Sequence, residues 1–211
     1  MTPDVTLCLV TDRRALRGIS LPEAVSQALR GGCTMVQLRE KAAGTRTFYA
    51  LARQVKAVTD AWRVPLIIND RVDVALAVGA AGLHIGQSDL PLRAARRLLP
   101  NALIGVSVTT VEEALTAAGA GADYLGVGAM FPSTTKPDAA AVSLETLRRI
   151  RRATGLPLLA IGGVNAANAP LLRAMGADGV AAISAILGQP DIALAARRIR
   201  ERFLCAEPPS R

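Results

Sequence analysis

The chain has 211 residues and a formal net charge of +8, with 51% hydrophobic and only 3% aromatic residues. That length suits one well-buried domain and excludes two large ones. No stretch approaches the ~20 uninterrupted apolar residues of a membrane span. Asp4, Asp12, Arg13 and Arg14 interrupt the N-terminal apolar run, so no signal peptide is expected. Cys8, Cys33 and Cys205 are few, odd in number and not spaced for metal; reduced thiols and a cytoplasmic location are the expectation. Nucleic-acid binding would want a basic stripe interleaved with aromatics or a recognised module, and neither is visible. Most arginines fall in helical stretches (Arg93, Arg96 and Arg97; Arg148, Arg149, Arg151 and Arg152; Arg197, Arg198, Arg200 and Arg202) and read as solvated outer faces. A positive field would still help to draw in a polyphosphate.

Apolar β-like runs alternate with amphipathic helical stretches along the whole chain. Strands are expected at 5–10, 34–38, 65–69, 82–85, 102–107, 123–128, 157–161 and 178–183. Helical patterns lie near 21–30, 45–60, 71–79, 90–99, 111–119, 143–153, 166–175 and 191–204. Pro65 and Pro157 open strands, where a missing N–H costs little. Pro22, Pro91 and Pro170 fall near helix starts. Gly31-Gly32, Gly79, Gly121 and Gly176 follow helices as C-cap residues do. Ala80-Ala81-Gly82-Leu83, Gly121-Ala122-Asp123-Tyr124 and Gly176-Ala177-Asp178-Gly179 echo one another, each bridging a helix end to the next strand. Eight βα units in one domain mean an α/β fold, a single-domain (β/α)8 TIM barrel, rather than an open doubly wound sheet. The catalytic domain is expected to cover residues 1–205, with 206–211 a disordered tail carrying Pro208-Pro209. The longest loop, from Ala129 to Ala141, reads as a lid over the site.

In such a barrel the groups that end the strands gather on one rim, where the chemistry is done. The period of two places Gln37, Arg39 and Lys41 on one face and Leu38 and Glu40 on the other. Two cations and an amide at one strand end suit a multiply charged anion such as diphosphate. The plain alternative is a surface loop with an Arg–Glu pair, but a barrel interior rarely tolerates two unliganded cations. Asn69-Asp70 and Asp89 end neighbouring strands. Each Asp precedes a helical run and reads singly as an N-cap. Beside a polyphosphate site, shared binding of Mg²⁺ stands level with capping. Ser133, Thr134, Thr135 and Lys136 could close over a phosphate, although polar loops are common. Gly162-Gly163 and Ser184, after strands seven and eight, occupy the usual phosphate site of these barrels. His84, the only histidine, fits a packed or hydrogen-bonded core role at least as well as catalysis. With no Ser-His-Asp or Cys-His arrangement, the chemistry is expected to rest on charge stabilisation of a leaving group.

The rim segments together resemble the thiamine phosphate synthase family over about residues 5–200. The resemblance is carried by Gln37-Leu38-Arg39-Glu40-Lys41, Ile68-Asn69-Asp70-Arg71-Val72-Asp73, His84-Ile85-Gly86-Gln87-Ser88-Asp89 and Gly105-Val106-Ser107. Asp123-Tyr124-Leu125-Gly126, Thr135-Lys136, Ala160-Ile161-Gly162-Gly163 and Ile183-Ser184-Ala185-Ile186 extend it. It implies coupling of 4-amino-2-methyl-5-hydroxymethylpyrimidine diphosphate to a thiazole phosphate, with dissociative, Mg²⁺-assisted loss of diphosphate. By motif, Arg39, Lys41, Ser107 and Lys136 would be catalytic, binding the pyrimidine diphosphate together with Gln37 and Asn69. Asp70 and Asp89 would hold Mg²⁺. Ser133, Thr134, Thr135, Gly163, Ile183 and Ser184 would bind the thiazole phosphate. The chain departs from the family at Thr109, where many relatives carry histidine. The implied partners are these small molecules, with no nucleic acid and no membrane, and a homo-oligomer is left open. A related thiazole tautomerase is disfavoured by the presence of Asp70, Asp89 and Thr109. A metal-free sensor barrel remains as a non-enzymatic alternative.

Overall fold

The computed structural model describes residues 3–132 and 141–209. Eight strands form a closed, all-parallel barrel in chain order. They are β1 (Leu7–Val10), β2 (Met35–Leu38), β3 (Leu66–Asn69), β4 (Gly82–Ile85), β5 (Leu103–Val108), β6 (Tyr124–Val127), β7 (Leu158–Ile161) and β8 (Gly179–Ala182). β8 returns to β1 with Leu7 opposite Val180 and Cys8 opposite Ala181, so no strand edge is left open. The helices are α1 (Leu21–Arg30), α2 (Thr45–Ala61), α3 (Val72–Val78), α4 (Leu92–Leu98) and α5 (Val111–Gly119), then α6 (Leu144–Ala153), α7 (Ala169–Ala174), α8 (Ser184–Leu187) and α9 (Ile192–Leu204). The architecture is the (β/α)8 barrel expected from the alternating pattern. Among the described residues no helix is long and apolar enough to cross a membrane.

Helix starts follow local chemistry. The side chains of Ser20, Thr110, Ser143 and Asp191 each accept a first-turn N–H, satisfying donors that helix geometry leaves free. The pattern expected from 166 begins only at Ala169. Asn165 Oδ1 accepts the N–H groups of Ala167 and Asn168 and holds this stretch as a turn. The short α8 is absent from the expected helices; four residues are too few to show a helical period.

Strand alternation divides the apolar residues into two cores. One face carries Leu7, Leu9, Val36, Leu38, Ile68, Leu83, Ile104 and Leu125 outward against the helices. The other turns Cys8, Val10, Met35, Ile67, Tyr124, Leu159 and Ala181 into the barrel. Burial pushes the Cys8 thiol up to about 12, which leaves it protonated and inert. The largest of these interior side chains is Tyr124, which is fully buried. It fits because its neighbour on β5 is Gly105, where a Cβ would lie 2.1 Å from the ring.

Two of the echoes noted in the sequence are structural clamps. Asp123 Oδ2 accepts Arg96 Nη2 at 2.6 Å and the Ile104 N–H at 2.7 Å. Asp178 Oδ2 accepts Arg151 Nη1 and the Leu158 N–H, both at 2.8 Å. Each aspartate therefore ties a helix arginine to the start of the preceding strand. Arg96 and Arg151 are thus not solvated outer-face residues, whereas Arg93, Arg97, Arg148, Arg149 and Arg152 are exposed.

The tight seat of Tyr124 sets a stability expectation. Gly105→Ala should destabilise the fold by about 1–3 kcal/mol, because an added carbon must displace a buried ring. Denaturant unfolding measures this, and a midpoint equal to wild type would mean that the ring has room to spare.

Candidate active site

The carboxyl ends of the strands open into a cavity of about 930 Å³. Its lining includes Gln37, Arg39, Lys41, Asn69, Asp70, Asp89, Ser107, Gly163, Ile183 and Ser184, drawn from six of the eight strand ends. Ser133, Thr134, Thr135 and Lys136 lie outside the described residues.

On the β2 side, Gln37 points inward and is 4% exposed, while Arg39 and Lys41 follow beyond the strand end. Glu40 turns away and pairs with Arg13 at 2.5 Å, so the Arg–Glu pair of the plain reading does not involve Arg39. Arg39 Nη1 instead lies 3.7 Å from Asp12 Oδ2. Asp12 is 7% exposed and grips Arg14 through both carboxylate oxygens, with Arg14 holding its pKa below the ordinary value. The Thr11 hydroxyl accepts the Arg39 N–H at 3.0 Å and fixes the backbone there. Thr11-Asp12 ends β1 as the other polar groups end their strands; this positional signal was missed in the sequence.

The carboxylates come from β3 and β4. Asp70 has a left-handed φ of 62° and donates its N–H to the His84 carbonyl at 2.8 Å. Aspartate tolerates this conformation at a cost of about 1 kcal/mol. The turn carries the side chain into the cavity, where it meets both the Lys41 ammonium and the Asp89 carboxylate. Burial is the largest cause raising the Asp70 pKa; contact with Asp89 adds to it and Lys41 opposes it. Asp89 Oδ2 also accepts the Gly86 N–H at 2.7 Å. Neither carboxylate caps a helix: α3 begins after Arg71 and α4 after Pro91, without a side-chain cap. The capping alternative therefore falls. Two carboxylates in contact repel unless a proton or cation is shared, which suits a hard divalent ion. Among the described residues no group of three or more His, Cys, Asp or Glu could hold such an ion. A metal held by these two carboxylates would have to take its remaining ligands from substrate oxygens and water.

Below the carboxylates sits His84, 7% exposed. Its Nδ1 is 3.0 Å from the Tyr124 hydroxyl and its Nε2 is 2.9 Å from Ser107 Oγ. Burial pushes its pKa down to about 4, against a weaker upward pull from Asp89, so the ring is neutral at pH 7.

The opposite wall is backbone. Gly162 and Gly163 have φ values of 100° and 62°, and a Cβ on Gly163 would lie 2.5 Å from the Pro132 carbonyl. Phe131 donates its N–H to the Gly162 carbonyl, joining the loop after β6 to this turn. Ile183 and Ser184 follow β8, with Ser184 opening α8. The first N–H groups of a helix have no partner within it, so this wall presents amides rather than charges.

A family model described as thiamine monophosphate synthase matches residues 7–186. The thiamine-phosphate synthase of Ruminiclostridium cellulolyticum is 52% identical over 202 residues, covering 95% of this chain and 96% of that protein. The chain belongs to the thiamine monophosphate synthase family. The solved thiamine phosphate pyrophosphorylase of Pyrococcus furiosus matches with a TM-score of 0.89 and 40% identity, over 96% of this chain and 97% of that one. A 3-hexulose-6-phosphate synthase with a TM-score of 0.68 and 19% identity, over 93% of this chain and 99% of that one, shares the fold alone.

The departure at Thr109 has a local setting. Glu113 Oε2 accepts both the Thr109 N–H at 2.6 Å and its hydroxyl at 3.0 Å. Backbone and side chain of Thr109 thus both hold Glu113 at the turn from β5 into α5.

Burial of neutral His84 predicts an acid weakness. In the unfolded chain it takes up a proton near pH 6.5, but in the folded enzyme only near pH 4. Stability contributed by its neutral form is therefore present above pH 6.5. It falls as pH drops toward 4, by on the order of 3 kcal/mol. Urea unfolding at pH 7 and pH 4.5 measures this, and His84→Gln should flatten the difference. The same slope in both proteins would remove His84 as its source.

Proposed function

We propose that the rim cavity joins a hydroxymethylpyrimidine diphosphate to a thiazole phosphate, giving thiamine phosphate and free diphosphate. The observation that carries this reading is the meeting of Arg39 and Lys41 with the touching carboxylates Asp70 and Asp89 at one mouth. Cations and a shared acid pair are what a departing diphosphate and its counter-ion require. Family membership and the thiamine-phosphate synthase relatives support the same reaction.

In this reading Arg39, Lys41, Asn69, Ser107 and Lys136 bind the diphosphate, with Gln37 beneath it. Arg39 offers a planar fork and Lys41 a mobile point charge, and both gain strength as the leaving group takes on negative charge. Asp70 and Asp89 would hold Mg²⁺, which supplies further charge neutralisation at the diphosphate oxygens. Gly163, Ile183 and Ser184 take the thiazole phosphate through amides and a hydroxyl, and Ser133, Thr134 and Thr135 approach the ring. The C–O bond to diphosphate breaks with its electron pair leaving on oxygen, and the thiazole nitrogen lone pair forms the new C–N bond. The incoming nitrogen carries no proton, so no general base is needed. The neutral, doubly bonded His84 agrees with that economy. The dissociative order, with bond breaking first, suits a site rich in leaving-group contacts.

We take residues 1–205 as the catalytic barrel and 206–211 as outside the machinery. Small molecules are the partners this reading requires, with no part for nucleic acid. A cytoplasmic location and a homo-oligomer are compatible with it.

A coupling assay with both substrates and Mg²⁺ tests the reading, and EDTA should abolish product. Asp89→Ala should lower turnover by about a hundredfold or more with little change in melting temperature. Substantial product from Asp89→Ala or in EDTA would remove the metal assignment. No product from well-folded wild type would remove the synthase reading.

A further inference from the structure

Four polar side chains form a connected column under the rim. The Gln37 side chain contacts the Tyr124 hydroxyl. That hydroxyl lies 3.0 Å from His84 Nδ1, and His84 Nε2 lies 2.9 Å from Ser107 Oγ. Gln37, His84 and Tyr124 are all buried, and Ser107 faces the cavity. The imidazole is held in place, since a Cβ on Gly126 would stand 2.9 Å from it. Asn69 is its register partner on β3 and Gly105 its partner on β5.

Neutral imidazole has one donor and one acceptor nitrogen, and each hydroxyl has one proton to give. The column can therefore run in only two senses. Running outward, the Gln37 amide donates to the Tyr124 oxygen and the Tyr124 O–H donates to Nδ1. Nε2–H then donates to Ser107 Oγ, and the serine proton points into the cavity. Running inward, Ser107 spends its proton on Nε2 and shows the cavity only lone pairs, which repel an anion. The outward sense is the one in which Ser107, bonded to Nε2 at 2.9 Å, has its proton free for an anion in the cavity.

We propose that Gln37, Tyr124 and His84 form a one-way hydrogen-bond relay that keeps the Ser107 hydroxyl a donor toward an anionic leaving group. His84 is then a positioning residue, acting through Ser107 and exchanging no proton during the reaction. The inference rests on the reading above that Ser107 meets the diphosphate.

His84 is the only histidine, so a long-range proton–nitrogen spectrum of nitrogen-labelled full-length protein reads its tautomer directly. The expected state at neutral pH is Nε2–H, both in the free protein and with Mg²⁺ and inorganic diphosphate added, with the ring signals shifting on addition. Tyr124→Phe keeps the ring and removes only the hydroxyl. It should mix the tautomers and lower kcat about tenfold, the loss of one orienting hydrogen bond. The KM for thiazole phosphate should stay unchanged. In a Ser107→Ala background the same change should cost nothing further, because the relay has lost its end. An Nδ1–H tautomer in wild type overturns the proposal whatever the variants do. So does a Tyr124→Phe protein with unaltered tautomer, or additive losses in the double variant. The spectrum needs no turnover. An Nε2–H ring that responds to diphosphate in a protein inactive for coupling would uphold the relay and sink the synthase reading alone.

Discussion

With Gly105 leaving room on the neighbouring strand, the Tyr124 ring fills the middle of the barrel, and its hydroxyl becomes the floor on which the site is built. The parallel register then decides what stands above that floor. Asn69 pairs with His84 and Ser107 with Gly126, so inward positions of successive strands bring amide, imidazole and hydroxyl together. A one-residue slip in any of these ladders would turn its polar group outward into the helix layer. Closure between β1 and β8 removes that freedom, and the precision of the site is inherited from the barrel rather than from its loops.

Charge on the rim is balanced by short-range pairing. Asp12 stands beside Arg39, Asp70 beside Lys41, and Asp70 also touches Asp89. Half-exposed pairs such as Lys41–Asp70 contribute little to stability, so re-aiming the lysine toward an incoming anion costs little. The contacts that cannot be rearranged cheaply lie below, in the buried column from Gln37 to Ser107. Mobile charges therefore sit over a fixed polar base. The excess positive charge of the whole chain adds attraction at longer range.

Much of this was legible before any coordinates. Pro65 and Pro157 at strand starts, glycines after helices and repeated apolar runs mark the eight units, because each reflects a local backbone rule. Rim positions follow from the same reading, since a strand end in a barrel has only one place to go. What escaped was non-local or conformational. The left-handed turn at Asp70 decides between capping and pocket, yet no neighbouring residue announces it. Arg96 and Arg151 look like ordinary helix-surface cations until a strand-start aspartate, distant in sequence, folds against them. The partnership of His84, Tyr124 and Ser107 depends on three different strands sharing one interior, which no sequence period records.

The paired aspartate clamps bear on how such a chain assembles. Arg96–Asp123 and Arg151–Asp178 each join residues 27 apart, and Thr34 meets Leu7 across the same interval. Contacts of that span close within one helix–strand–helix or strand–helix–strand stretch and require little loop entropy. Most of the barrel can therefore consolidate piecewise, each clamp fastening a helix before the next unit arrives. Only the β1–β8 seam must wait for both ends of the chain. The mouth of the cavity is complete only when that seam has closed, because Ser184 follows β8 and Arg39 follows β2, on either side of it.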